Sequence, residues 1–182
     1  MKTLATEYLD TVIRRLKYYK ELADKTFEQL KDHDFHSRFN EESNSIAVII
    51  QHMAGNMLSR WTNFLTEDGE KTWRQRDEEF SVHNYSKQQL LELWEKGWKS
   101  FFDTLDSLEA ADLLKIVYIR QEGLTAIDAI NRQLAHYPHH IGQIVYIGRM
   151  IKGKEWKTLS IPKGGSHEYN QSDSVKDPAK KY

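Results

Sequence analysis

The stretch TAIDAINRQLAHYPHHIGQIVYIGRMIKG, residues 125–153, decides the fold. Thr125 and Asp128 have the types and spacing of a capping box, which starts a helix. Gly153 stands where the pattern ends. Apolar side chains recur between them at steps of three and four residues, as on one face of an α-helix: Ile127, Ile130, Leu134, Tyr137, Ile141, Ile144, Gly148 and Ile151. The stretch therefore predicts one long amphipathic helix.

Three earlier segments carry the same apolar pattern. They span about residues 4–30, 46–65 and 86–108. Asn44 or Ser45 can cap the second helix, and Ser86 with Gln89 forms a capping box for the third. Gly55 inside the second helix predicts close packing, because glycine is costly in a helix interior. Four such helices predict an all-α four-helix bundle.

The connections between these helices differ in character. Thr66–Tyr85 is a long polar loop. The run Lys115–Arg120 has an alternating pattern of side chains and contains β-branched residues, which predicts a short strand or an extended connection. Beyond the fourth helix the periodicity stops and the chain becomes polar and lysine-rich. We therefore expect a bundle domain over residues 1–153 and a C-terminal extension over 154–182, partly ordered with a frayed end.

Composition narrows the classes of function. The chain has 182 residues, which suits one domain, and it has no cysteine, which excludes a disulfide, a protein thiolate and a sulfur-ligated metal. The 26 Lys and Arg balance 27 Asp and Glu without a basic cluster, so nucleic acid is not an expected partner. The longest apolar run is Ile46–Ile50, too short for a signal peptide core or a membrane span. These features predict a soluble, cytoplasmic protein.

Three histidines are candidate metal ligands. His136 and His140 lie about 40° apart around the helix axis, one turn apart along it. His52 borders the apolar stripe of the second helix in the same way, so the three side chains can converge. Three imidazoles leave a divalent ion at least one open position, which is typical of a catalytic site. Such ligands suit zinc, nickel, copper or iron, so the ligand types alone do not identify the metal.

The alternative is a chance pair of histidines on a helix face. Pro138 between them favours function, because proline inside a helix removes a backbone hydrogen bond and costs about 3 kcal/mol. It predicts a kink at His136. Asn56 and Gln143 are spaced to orient the ligands or touch substrate. The remaining histidines are not expected to bind metal: His33, His36, His83, His139 and His167.

The charged loop 68–79 allows two interpretations. Its ion pairs can be a solvated surface network of little energetic value. Alternatively, Arg74 or Arg76 presents a guanidinium to an anionic substrate near the metal, since arginine binds carboxylates bidentately. The tail over 160–170 has a similar pair of alternatives, covering the metal site or packing on the bundle.

Longer motifs resemble a known family. QHMAGN (51–56) and YPHHIGQ (137–143) resemble the DinB/YfiT-like metalloprotein superfamily. A bacterial branch of that superfamily, known only as a domain of unknown function, is similar in three further stretches: GNMLSRWTNFLTEDGEK (55–71), WRQRDEEF (73–80) and LSIPKGGS (159–166). The resemblance covers about residues 1–170.

The resemblance implies a four-helix bundle with up-down-down-up topology, usually a homodimer. It implies a divalent metal, zinc or nickel, held by His52, His136 and His140. Characterised relatives include thiol-dependent transferases and isomerases. We therefore expect a metal-dependent transferase acting on a small molecule, with a low-molecular-weight thiol as cosubstrate and no membrane partner.

Two other functions stay open at this point. One is metal-dependent hydrolysis, for which Glu41 or Glu42 is a speculative general base. The other is a non-enzymatic metal-binding protein of stress response or interaction. A metal-free helical bundle is the least favoured, because it leaves the histidines and Pro138 unexplained.

Overall fold

The computed structural model describes residues 2–182, most of which are helical. Four long helices and one short one follow in chain order: α1 (Leu4–Gln29), α2 (Ile46–Trp61), α3 (Lys87–Ser107), α4 (Ala126–Lys152) and α5 (Ser166–Gln171). The four long helices predicted from periodicity are thus present. Only α2 is clearly shorter than expected. It ends at Trp61, and Asn63 beyond it has φ of 52°, which a helix cannot continue through.

Side-chain oxygens satisfy the free amides at the start of these helices. Ser45 Oγ accepts a hydrogen bond from the Val48 amide at the start of α2. Ser86 and Gln89 bond reciprocally at the start of α3. Thr125 accepts from the Asp128 amide at the start of α4. Each cap leaves fewer unpaired donors at the helix end and fixes where the helix begins.

A small hairpin precedes α4. Strands β1 (Ile116–Ile119) and β2 (Glu122–Thr125) pair antiparallel, with Ile116 opposite Thr125. Arg120 and Gln121 form the turn with φ of 56° and 65°, as a two-residue hairpin turn requires. The predicted strand at 115–120 is confirmed, so the all-α prediction is corrected to a mostly helical fold with one two-stranded sheet. Val117 and Ile119 are buried, which is the physical reason this alternating segment is extended.

The core lies between α2 and its neighbours. Helix α2 is buried along nearly its whole length and packs on α3 and α4, while α1 packs on α4. Gly97 of α3 permits the close approach, because a Cβ there would lie 3.1 Å from Ala54 Cα in α2. The largest fully buried side chains are aromatic and come from three elements: Phe35, Trp94, Trp98, Phe101 and Tyr137.

The C-terminal segment lies along α1. Arg15 donates to both carboxylate oxygens of Asp177, at 2.6 and 2.7 Å, and Ala179 is buried. Gln29 exchanges hydrogen bonds with the backbone of Lys157. The division into 1–153 and 154–182 stays a prediction. Across residues 2–182, every helix is too short or too polar to cross a membrane.

Candidate metal centre

The structure brings His52 of α2 together with His136 and His140 of α4. The Nε2 atoms of His52 and His136 are 3.5 Å apart, and those of His136 and His140 are 3.0 Å apart. One ring nitrogen of each histidine lies within 4.8 Å of the other two. The one-turn spacing on α4 and the packing of α2 on α4 produce this convergence.

These distances fit a tetrahedral ion. Imidazole nitrogens bound to zinc at 2.0–2.1 Å with tetrahedral angles stand about 3.3 Å from one another. The two Nε2–Nε2 separations, 3.0 and 3.5 Å, bracket that value. The three residues therefore fit a divalent metal with three imidazole ligands. His136 lies in α4 on the turn before Pro138, and the helix continues unbroken through the proline to Lys152.

Each ligand ring is held by an acceptor on its other nitrogen. His52 Nδ1 donates to Glu79 Oε2 at 3.0 Å. His136 Nδ1 donates to Gln133 Oε1 at 3.2 Å, and His140 Nδ1 donates to Gln143 Oε1 at 2.8 Å. A proton on Nδ1 leaves the lone pair on Nε2, so all three rings present the atom that binds metal.

Burial keeps two of these rings neutral. Desolvation lowers the pKa of His136 to about 3, with further lowering by His140 and His52. Desolvation also lowers the pKa of His140, and its hydrogen bond to Gln143 opposes that effect. Neutral imidazole is the form that coordinates a metal. Both rings are therefore ready to bind an ion at neutral pH.

A buried ion pair supports His52. Arg74 donates to both carboxylate oxygens of Glu79, at 2.7 and 2.9 Å, and its side chain is 2% exposed. Burial raises the pKa of Glu79, but hydrogen bonds from His52 and Arg74 outweigh burial and leave its pKa below the usual range. Glu79 is thus an anionic acceptor that fixes the His52 ring, as carboxylates do for metal-bound histidines.

Gly55 makes room for that carboxylate. A Cβ at Gly55 would lie 2.3 Å from Glu79 Oε1. The close packing predicted for this glycine is therefore contact with the group that orients His52. Phe80 also covers His52, with ring centroids 4.9 Å apart, and the Arg76 guanidinium lies 5.0 Å from the Phe80 ring centre. Glu79 and Phe80, which both contact His52, belong to a short 3-10 helix, Asp77–Phe80.

An arginine-rich cleft of about 230 Å³ lies beside His52 and His136. The remaining lining residues are two amides and five arginines: Asn56, Gln133, Arg60, Arg74, Arg76, Arg120 and Arg132. None of these lining residues is a carboxylate. The three-histidine cluster therefore has an arginine-lined space next to it.

The other predicted site residues have different positions. Gln143 contacts a ligand, His140, as described. Asn56 does not; its Oδ1 accepts from the Tyr137 hydroxyl at 3.2 Å, and Asn56 lines the cleft. Glu41 and Glu42 are exposed and do not line the cleft.

Two orienting residues were not predicted from sequence, Glu79 and Gln133. Gln133 carried a usable signal, because it precedes His136 by three residues just as Gln143 follows His140 by three. Glu79 carried none, since it is 27 residues from His52 and lies in a loop. Only Gly55 hinted that something approaches α2 there.

For Arg74 the solvated surface network is wrong, and contact with an anionic substrate stays a prediction. The side chain is buried, is bonded to Glu79 and Glu70 and lines the cleft, so it is not part of a solvated network. The reason is that the 3-10 helix folds the loop back onto α2. Arg76 remains half-exposed at the cleft.

Comparison with known proteins gives one match. No curated protein and no solved structure matches the chain. A family model described as "Protein of unknown function (DUF1572)" matches residues 3–165, nine-tenths of the sequence. The chain therefore belongs to the DUF1572 family.

Proposed function

We propose that this protein is a metal-dependent enzyme of the DinB/YfiT type, in which His52, His136 and His140 hold zinc or nickel. The observation that carries the proposal is the convergence of three Nε2 atoms whose rings are each fixed through Nδ1. The proposal includes an up-down-down-up bundle of the four long helices. The packing of α1 on α4 and of α2 on α3 supports that bundle.

The proposed reaction forms a bond between the sulfur of a low-molecular-weight thiol and an electrophilic carbon of a small molecule. The bond from that carbon to a leaving group such as halide breaks, and the thiol proton passes to solvent. A divalent metal, when bound, favours the thiolate form of a thiol near neutral pH. The chain supplies the rest: Glu79, Gln133 and Gln143 keep the three imidazoles in the ligating tautomer. No protein nucleophile is needed, which agrees with a chain that has no cysteine.

Thiol transfer is favoured over hydrolysis because the described residues that line the cleft include no carboxylate to act as a general base. Glu79 has both oxygens engaged, by His52 and Arg74, and Glu41 and Glu42 are exposed elsewhere. A role limited to metal binding is less favoured, because an open cleft adjoins two ligands. Homodimerisation stays part of the proposal.

The test combines metal content with a thiol dependence. Elemental analysis of untagged protein should give about one zinc or nickel per chain, lost in His52→Ala and His140→Ala and retained in His139→Ala. His139 is the matched control because it adjoins His140 and is exposed. Turnover of an aryl halide should require added glutathione or a smaller thiol and the intact metal site. A protein that stays metal-free after reconstitution would overturn the proposal. Hydrolysis of an ester without added thiol would mean that the reaction is metal-dependent hydrolysis and not thiol transfer.

A further inference from the structure

Three arginines of the cleft share one carboxylate oxygen. Glu70 Oε2 alone accepts from three guanidiniums, those of Arg60 at 3.1 Å, Arg74 at 3.4 Å and Arg120 at 3.2 Å. Glu79 is shared between Arg74 and His52. Arg60 and Arg74 are buried beside the cleft, so an anion bound there would gain from their positive charge.

Two further guanidiniums at the cleft are free to meet such an anion. Within residues 2–182 no carboxylate lies within 4.0 Å of Arg132, which is exposed on α4. Arg76 has one ion pair, to Asp77 at 3.6 Å, and the Asp77 side chain is fully exposed. A solvent-exposed pair of this length contributes little, so Arg76 can exchange it for a ligand.

Asn56 adds an uncharged donor to the same space. Trp61 Nε1 donates to the Tyr137 hydroxyl at 2.8 Å, and an indole can only donate. The hydroxyl hydrogen of Tyr137 must then go to Asn56 Oδ1 at 3.2 Å. This buried chain of hydrogen bonds fixes the orientation of the Asn56 amide. The Nδ2 atom of Asn56 has no protein partner among the described residues.

Gln133 is fixed in the same way from the metal side. Its Oε1 accepts from His136 Nδ1 at 3.2 Å. Its Nε2 has no partner within residues 2–182 and belongs to a residue that lines the cleft. The groups that Asn56, Gln133, Arg76 and Arg132 offer to a ligand in the cleft are therefore all donors. A ligand that only accepts hydrogen bonds matches them, and an ionised oxyanion is such a ligand.

We propose that this cleft binds the anionic group, a carboxylate or a phosphate, of a small organic substrate, with Arg132 and Arg76 as its principal contacts. The assignment rests on the proposed function and names the substrate class for it. At about 230 Å³ the cleft is smaller than the roughly 300–1,000 Å³ of drug-sized sites, so the ligand is small. Because His52 and His136 line the same cleft, a bound anion holds the rest of its molecule beside the metal position.

Calorimetric titration of the zinc-loaded protein with succinate and with methyl phosphate tests this proposal, and neutral succinamide is the control ligand. We expect succinate or methyl phosphate to bind, succinamide not to bind, and Arg132→Gln and Arg76→Gln each to weaken binding at least about tenfold. Arg149→Gln is the matched variant, since Arg149 is exposed on α4 outside the cleft, and it should bind as the wild type does. The better of the two anions identifies the group.

A second arm separates this proposal from the metal proposal. His140 does not line the cleft, so His140→Ala should lose zinc and still bind the anion. Zinc binding without any anion binding would overturn the cleft proposal alone. Equal weakening by Arg132→Gln and Arg149→Gln, or loss of anion binding in His140→Ala, would also overturn it, because the anion would then bind diffusely or on the metal.

Discussion

At the scale of single residues, Gly55 is predicted to control the metal site through Glu79. Gly55→Ala places a methyl group 2.3 Å from Glu79 Oε1 and must displace a carboxylate that Arg74 clamps from the other side. His52 then loses its acceptor. We expect zinc affinity, measured by competition with a chelating dye, to fall about 10- to 100-fold.

The control for this substitution is Gly142→Ala. Gly142 is also inside a helix, α4, and a Cβ there meets nothing within 4 Å. Alanine should raise the free energy of unfolding by about 0.5–1 kcal/mol at Gly142, because it has the better helix propensity. Zinc affinity should not change. If Gly55→Ala also stabilised the protein and kept its zinc affinity, the proposed contact with Glu79 would be wrong.

Glu79 itself provides a second residue-level prediction. Glu79→Gln removes the charge that pairs with Arg74 and weakens the acceptor for His52. We expect zinc affinity to fall about 10- to 100-fold and the protein to lose about 3 kcal/mol of unfolding free energy, because Arg74 stays buried. Glu78→Gln changes an exposed neighbour of the same 3-10 helix and should alter unfolding free energy by less than about 0.5 kcal/mol. Equal zinc affinity in Glu79→Gln and Glu78→Gln would show that Glu79 does not support zinc binding.

At the scale of elements, Tyr8 links α1 to α4 and makes their packing sensitive to alkaline pH. Its hydroxyl donates to Asn131 Oδ1 at 2.7 Å and to the Ile127 carbonyl at 3.2 Å. Burial raises the pKa of Tyr8 to about 12, with a smaller contribution from Asp128. A raised folded pKa gives stability that is complete below the unfolded value of 10.0 and is lost as pH rises towards 12.

Tyr8→Phe isolates this effect from other titrations. Below pH 9 the wild type should exceed the variant by about 1 kcal/mol in unfolding free energy, and the difference should vanish between pH 10 and 12. Urea unfolding at several pH values measures it. Tyr146→Phe, an exposed tyrosine of α4, should show no such difference. A gap between wild type and Tyr8→Phe that stayed constant to pH 12 would contradict the assignment.

The helices were predictable because their signals are local. Ser45, Ser86 and Thr125 mark helix starts by their own side chains, and the apolar periodicity does not depend on distant residues. Only part of the hairpin was predictable. The alternating sequence pattern indicated strand β1. The turn at Arg120 and Gln121 was not predictable, because two bulky residues at positive φ have no sequence signature.

At the scale of the whole molecule, the convergence of the three histidines was predictable and their surroundings were not. His136 and His140 are related by helical spacing, and His52 needed only the packing of α2 on α4. The hydrogen bond from His52 to Glu79 and the relay from Trp61 through Tyr137 to Asn56 join residues up to 81 apart in sequence. Such contacts exist only once the tertiary fold has formed, so no local pattern encodes them.

This dependence on tertiary structure predicts that zinc stabilises the folded chain as a unit. The ion would join α2 to α4, and the unfolded chain cannot present three converged imidazoles. At free zinc about 100 times Kd, binding adds about 2.7 kcal/mol, which raises the Tm of a domain of this size by about 5–10 °C. Differential scanning calorimetry with zinc, and again after excess chelator, measures that rise and its reversal. His139→Ala should keep the full rise and His140→Ala should lose it, because only the second removes a converging Nε2. An equal rise in both variants would mean that zinc stabilises the protein from another site.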